Sequence, residues 1–446
     1  MGATVIKAGY ALLEDGLHTE TGVRVEAGRI AVVAPNDQLR VEAGDTLIDA
    51  RDKLLSPGFV NGHMHMYGVL SHGISVEAAV TDFTSFLEDF WWPCMENRID
   101  HTLVELTTRW ACVEMINSGI TSFLEVLEGP NSIPGALEVE RKVIEGAGLR
   151  ARLSFEACQR LSKENGQLGL RENAEFIRSM RAAGGAGDAK SSGGLVDGLM
   201  SIHTLFTADK DFIMQAKQLA EEMDADIHMH LSESVYEPQV VQRSYGRRPV
   251  ELYEQWGFLD ERVVASQAVK VSEREADILA RRGCRLVHMP LSNCEVGGGV
   301  APVPDYQRLE IPTGLGTDGY INNFFEVMRG AFLIHKAHRQ NPEIMPAETV
   351  YRMATSQGAA AAGFPQTGLI QAGCEADLIT IKLDTPTPIN SRNVYDQLVL
   401  FRNPQDVSEV MVHGRLLKSE GKLLTMDEAA VKQELREAAA RFWQMQ

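Results

Sequence analysis

Residues 57–66 read PGFVNGHMHM, an apolar run that leaves a Pro-Gly turn and ends in His63-Met64-His65. In an extended strand side chains alternate between faces, so His63 and His65 point the same way; a helix would set i and i+2 apart. Two imidazoles on one face at a strand end can grip one metal ion, and a metal ion makes water reactive toward an inert bond. The pair alone is a weak signal, because histidines also serve in cores and on surfaces. Further candidates fall at the ends of other predicted strands. They are His203 in SIHT, His228 and His230 in HMHLSE with Glu233 just beyond, His288 in VHMP and Asp318 in GLGTDG. One histidine at a strand end is commonplace. Convergence from several strands is not, and it points to a metal site.

The elements that must position these groups alternate between strand and helix. Predicted strands cover 119–126, 150–156, 199–205, 225–231, 263–269, 285–288 and 313–318, and the His63 strand makes eight. Helical segments such as 102–117, 209–223 and 273–282 separate them. Eight β-α units over roughly 300 residues predict an α/β fold of the (β/α)8 barrel type, whose sites lie where the strands end. The rival, a doubly wound open sheet, lacks a glycine-rich phosphate loop after its first strand. Residues 3–55 read as short strands between Gly, Asp and Asn turns, and a matching pattern returns over 367–418. Neither part alone buries much surface, so both termini are expected to meet as one small β-sandwich. The expected division is 1–56 and 366–446 for that domain and 57–365 for the barrel. Thr425 to Glu428 predict a capping box opening a C-terminal helix. Residues 182–194 predict a flexible surface loop before the fourth strand. The insertion 67–100 carries Phe83, Phe86, Phe90, Trp91 and Trp92. It is expected to act as a lid or an oligomer contact, with Trp92 the candidate to touch a substrate.

Composition bounds the partners. The chain of 446 residues is 44% apolar, ample for one large core and a smaller one. A net charge of −18 argues against binding nucleic acid or an anionic membrane. No stretch has the length and apolarity of a membrane span, and no signal peptide is evident. The six cysteines are scattered without a C-x-x-C, as expected for reduced thiols of a cytoplasmic protein. Cys94 has no partner three residues on, so the cytidine-deaminase signature is absent.

The order and spacing of PGFVNGHMH, HLSE, VHMPLSN, GLGTDG and the late GLIQAGCEADL together resemble the amidohydrolase superfamily, in its chlorohydrolase and aminohydrolase branch. That branch holds triazine hydrolases and deaminases of guanine, S-adenosylhomocysteine and related heterocycles. The resemblance implies one divalent metal per subunit, zinc or iron, held by His63, His65, His230 and Asp318. It implies a proton shuttle at Glu233, with Asp318 also accepting a water proton, and a small-molecule substrate in a homo-oligomer. Members with two metals use a lysine on the fourth strand; His203 stands there, which disfavours a binuclear site. His203 is then expected to bind substrate. His288 is expected either to face the site or to brace the Asp318 loop, Asn293 either to contact substrate or to cap its loop, and His228 to be a buried structural group.

One departure matters. The family usually ends its sixth strand in Ala-His-Cys or a close variant, and Gln267 takes the histidine's place in VVASQAV. A glutamine amide donates hydrogen bonds but carries no proton at neutral pH. Oxyanion support at Gln267 is therefore compatible with the sequence, and acid-base help is not. The expected activity is hydrolysis of a carbon–nitrogen bond, foremost the deamination of an amino-substituted heterocycle. The alternatives are amide hydrolysis or dehalogenation at the same metal, or an impaired barrel that only binds a small molecule.

Overall fold

Eight parallel strands close into a barrel in the computed structural model, which describes residues 2–74, 79–182 and 194–444. The barrel strands are buried on both faces, as in IHMHL over Ile227–Leu231 and VVASQ over Val263–Gln267. Helices separate them as the 3.6-residue periodicity predicts, among them His101–Ser118, Lys210–Glu222 and Glu273–Arg282.

Closure depends on the fourth strand, which changes partner midway. Its first piece, Val196–Gly198, pairs with the third strand, Arg150–Phe155; its second, Met200–Ile202, pairs with Ile227–Leu231. Leu199 sits between them. Its N–H donates to the Leu153 carbonyl at 3.1 Å, and the Met200 N–H donates to the Asp226 carbonyl at 3.0 Å. The strand therefore starts earlier than 199 and ends at Ile202, which leaves His203 just past its end.

Both termini contribute to one separate nine-stranded sheet. Thr46–Pro57 pairs in parallel with Thr4–Leu13 and antiparallel with Leu378–Lys382, so it stitches the two ends of the chain together. Ile6, Val23, Leu55, Ile370, Leu378 and Met411 form its core. The late GCEADL motif joins this sheet to the barrel. Arg150, at the base of the third barrel strand, donates from Nε to Asp377 at 2.7 Å and from Nη2 to Glu375 at 2.8 Å.

The C-terminal helix is Glu428–Phe442, but its start differs from expectation. Asp427 is the N-cap and accepts the Ala430 N–H at 3.1 Å, while Thr425 lies outside the helix. Asp427 is the cap because a cap must sit immediately before the first helical residue. Of the expected loop at 182–194, residues 183–193 lie outside the described residues. The insertion after the first barrel strand forms the short helix Met66–Ser71, the turn Phe83–Ser85 and the π-helical segment Phe86–Met95, which contains Pro93.

Candidate metal and active site

The first barrel strand, Phe59–Met64, carries His63, and His65 follows in an extended conformation. Both side chains therefore emerge on one face. The loop after the eighth strand, Thr313–Leu315, is bolted to that strand end. Thr317 and Asp318 both donate their N–H to the His63 carbonyl at 3.1 Å. Asn61 Nδ2 donates to Thr317 Oγ1 at 2.8 Å, and the Thr317 N–H donates to Asn61 Oδ1 at 3.1 Å. Gly316 permits this approach, since a Cβ there would lie 2.7 Å from the His63 carbonyl oxygen. These bonds explain why PGFVNGHMH and GLGTDG belong together although some 250 residues separate them.

The structure brings His63, His65, His230 and Asp318 together. Ring centroids are 4.7 Å apart for His63 and His65, 4.9 Å for His63 and His230, and 5.4 Å for His65 and His230. Asp318 Oδ1 lies 3.1 Å from His65 Nε2 and 3.8 Å from His63 Nε2. His63 is wholly buried, and neither ring nitrogen has a hydrogen-bond partner among the described residues. A buried imidazole left without a partner costs free energy that a ligated ion would recover. His65 Nδ1–H donates to the Val126 carbonyl at 2.6 Å, which leaves Nε2 turned toward the shared gap. Burial, together with the neighbouring histidines, holds His63 well below the usual histidine range. Burial likewise takes His230 to about 4 and His203 to about 3. Neutral imidazoles are the ligating form. At His65 burial is outweighed by the charges of Glu128 and Asp318, which raise its pKa. The carboxylates thus stabilise positive charge at this spot, as a cation site requires. The donor set fits a divalent ion.

Asp318 has a positive φ of 59° and is gripped on its other oxygen. Gln267 Nε2 donates to Oδ2 at 2.8 Å and Ser292 Oγ donates to it at 2.7 Å; the Gly319 N–H donates to Oδ1 at 3.0 Å. Asn293 Nδ2 donates in turn to Gln267 Oε1. Burial opposes the Asp318 charge, but the bonds and charges from the histidines and Gln267 hold it well below the carboxylate range.

A cavity of about 830 Å³ opens above this cluster. His65, His203, His230, Glu233, Gln267 and Asp318 lie on its floor, and Phe83, Phe86, Phe90 and Trp91 of the insertion form an aromatic wall. Burial, with the Asp318 charge, pushes Glu233 well above the usual range. Three expected substrate contacts are placed elsewhere. His288 turns to His335, with the two Nε2 atoms 3.1 Å apart, so it packs behind the site. Asn293 is buried and spends its amide on Gln267. Trp92 lines a small adjoining pocket, 6.4 Å from the His203 ring, while its neighbour Trp91 faces the main cavity. His228 lies beneath, its ring stacked on His63 at 4.9 Å, with Nδ1 3.0 Å from Ser201 Oγ.

Sequence reasoning missed a set of buried carboxyls. Glu125 and Glu128 come from the end of the second strand, Ile120–Leu127, and Glu156 follows the third. The strand-end rule that found His203 would have flagged Glu128 and Glu156 as well. Glu125 accepts the Met66 N–H on both oxygens, at 2.9 and 3.1 Å, and burial raises it from 4.5 to about 8. A carboxyl raised in the fold contributes stability below its unfolded pKa, and that contribution is lost as pH climbs through the folded value. Glu125→Gln keeps an acceptor and never ionises. The variant is expected to match the parent protein at pH 4 and to exceed its stability at pH 9 by about 2 to 5 kcal/mol. Denaturant titrations at the two pH values check this; an equal difference at both would refute it.

Residues 54–417 match the amidohydrolase family. The chain is 31% identical to a 5'-deoxyadenosine deaminase of Methanosarcina mazei, over 97% of this chain and 93% of that one. It is 29% identical to a 5-methylthioadenosine/S-adenosylhomocysteine deaminase of Thermococcus sibiricus, over 93% of each. The crystal structure of an adenosine deaminase from Xanthomonas campestris with bound zinc superposes with a TM-score of 0.88 at 25% identity, covering 100% of this chain and 99% of that one. An atrazine chlorohydrolase from Arthrobacter aurescens shares the fold, with a TM-score of 0.85 at 19% identity over 98% and 100% of the two chains. The chain belongs to the amidohydrolase family, as a metal-dependent hydrolase of carbon–nitrogen bonds.

Proposed function

We propose that this chain deaminates an adenosine-type nucleoside hydrolytically, replacing the ring amino group by oxygen and releasing ammonia. The observation that carries the reading is the meeting of His63, His65, His230 and Asp318 on the floor of a cavity that also holds Glu233. Relatives that span nearly the whole chain act on 5'-deoxyadenosine and 5-methylthioadenosine, which supports a nucleoside over a bare base. A cavity near the upper end of the small-ligand range has room for one, and its aromatic wall suits a flat purine.

His63, His65, His230 and Asp318 would hold one ion, which we take to be zinc, as bound in the Xanthomonas campestris deaminase. Such an ion, when bound, supplies the Lewis acidity that makes water nucleophilic at neutral pH. Glu233 takes a proton from the attacking water and delivers it to the ring nitrogen beside the amino-bearing carbon. Asp318 accepts the second water proton and passes it to the leaving amino group, so ammonia departs neutral. His203 orients the ring. Gln267 acts on Asp318, to which it is bonded, rather than as a free oxyanion donor. A cytoplasmic location is in keeping with six unpaired cysteines, and the homo-oligomer rests on the family resemblance alone. No described helix is long and apolar enough to cross a membrane.

Ammonia release from a panel of adenosine, 5'-deoxyadenosine, 5'-methylthioadenosine, guanine, a pterin and an aminotriazine tests the reading. Turnover is expected with the adenosine-type members, giving inosine-type products, and about one zinc per subunit by elemental analysis. Ammonia release confined to guanine, the pterin or the aminotriazine would overturn it.

A further inference from the structure

Behind the ion-binding face runs a chain of buried side chains that the proposed reaction does not use. Trp91 Nε1–H donates to the Tyr67 hydroxyl oxygen at 3.2 Å. The Tyr67 O–H donates to Glu128 Oε2. Carboxylate oxygens of Glu128 and Glu156 come within 4.8 Å of one another and of a His230 ring nitrogen. Glu156 Oε1 lies 2.7 Å from His230 Nδ1. All five residues are at least nine-tenths buried. Glu156 Oε1 accepts Nδ1–H of His230. That fixes the tautomer of His230 with a bare Nε2 for the ion.

We propose that Glu156 is the positioning residue for His230, and that Glu128 and Tyr67 tie this ligand to the aromatic insertion through Trp91. The insertion thus builds the cavity wall and also sets the affinity of the ion site. The inference rests on the ligand assignment made above and leaves the substrate open. An amide keeps a carbonyl oxygen that can accept Nδ1–H, so Glu156→Gln should preserve the bond to His230.

The test is zinc affinity, measured on the full chain by competition with a chromogenic chelator, beside the melting temperature of the zinc-free protein. Glu156→Ala is expected to weaken zinc binding about 10- to 100-fold. Glu156→Gln should stay within about threefold of the parent. Trp91→Phe, which removes only the first donor of the chain, should weaken zinc by about two- to fivefold with the zinc-free melting temperature unchanged. A merely structural Glu156 would lower both zinc-free and zinc-bound melting temperatures equally and leave the affinity alone, which overturns the proposal. So would Glu156→Gln binding zinc as poorly as Glu156→Ala. If Glu156→Ala does not fold, the Glu156→Gln and Trp91→Phe affinities decide, and a Trp91→Phe affinity equal to the parent's refutes the link to the insertion. A parent protein that binds no zinc refutes the ligand assignment itself, a different failure from either of these.

Discussion

Asp318→Asn is expected to lower kcat/KM for an adenosine-type nucleoside by about a thousandfold or more, and to strip the purified protein of most of its zinc. The general acid-base contribution of a positioned carboxylate is about 10²- to 10⁴-fold, and loss of the ion adds to it. The substitution is mild for the backbone, because the φ of 59° at this position suits asparagine as well as aspartate. It is severe for the hydrogen bonds. Oδ2 accepts from both Gln267 Nε2 and Ser292 Oγ. An asparagine that turns its carbonyl to those donors presents its NH2 to His63 and His65, where it repels a cation. One that turns the other way sets its NH2 against two donors. Ammonia release, elemental analysis and a thermal melt together check the outcome. A folded variant with a full equivalent of zinc and more than a tenth of the activity would remove Asp318 from the ligand set.

The cluster around Asp318 was legible in the sequence because its members stand at strand ends inside short motifs, and strand ends of a parallel barrel share one face. The barrel itself was legible for the same reason, in alternating buried runs and amphipathic helices. What escaped was orientation and burial. Glu128 and Glu156 each stand one residue past a strand, but an acid there reads as a solvated loop group until the fold shows it buried. His288 ends its strand in a motif, yet its partner His335 comes from the helix Phe324–Arg339, and spacing along one strand says nothing of that distant neighbour. Trp91 and Trp92 were misordered by local geometry. The segment Phe86–Met95 is π-helical and turns Trp91, not Trp92, toward the main cavity. The fourth strand's change of partner at Leu199 is likewise invisible to propensity, because it answers to the closure of the barrel.

Gln267→Ala is expected to cost about 100-fold in kcat/KM, and Gln267→His to change it by less than about tenfold in either direction. Gln267 is wedged between two buried partners: its amide N–H holds Asp318, and its carbonyl accepts from Asn293. Removing the side chain frees Asp318 Oδ2 from one of its two side-chain donors and leaves the buried Asn293 amide unpaired, a loss of about 1 to 3 kcal/mol for that group alone. A histidine restores a donor to Asp318, but one ring nitrogen cannot be an N–H toward the carboxylate while the other, differently placed, accepts from Asn293 without a shift of the ring. The backbone adds a constraint, since Gln267 and Ala268 both have positive φ, 70° and 47°. Glutamine with Asn293 and Ser292 therefore forms a complete support for Asp318, in which a histidine is a partial substitute rather than a missing part. Zinc content should stay near one equivalent in Gln267→His and fall in Gln267→Ala, which separates loss of ligand support from loss of a catalytic donor. A Gln267→His variant that gains several orders of magnitude from a nearly inactive parent would show instead that this chain had retired from catalysis and kept only its binding site.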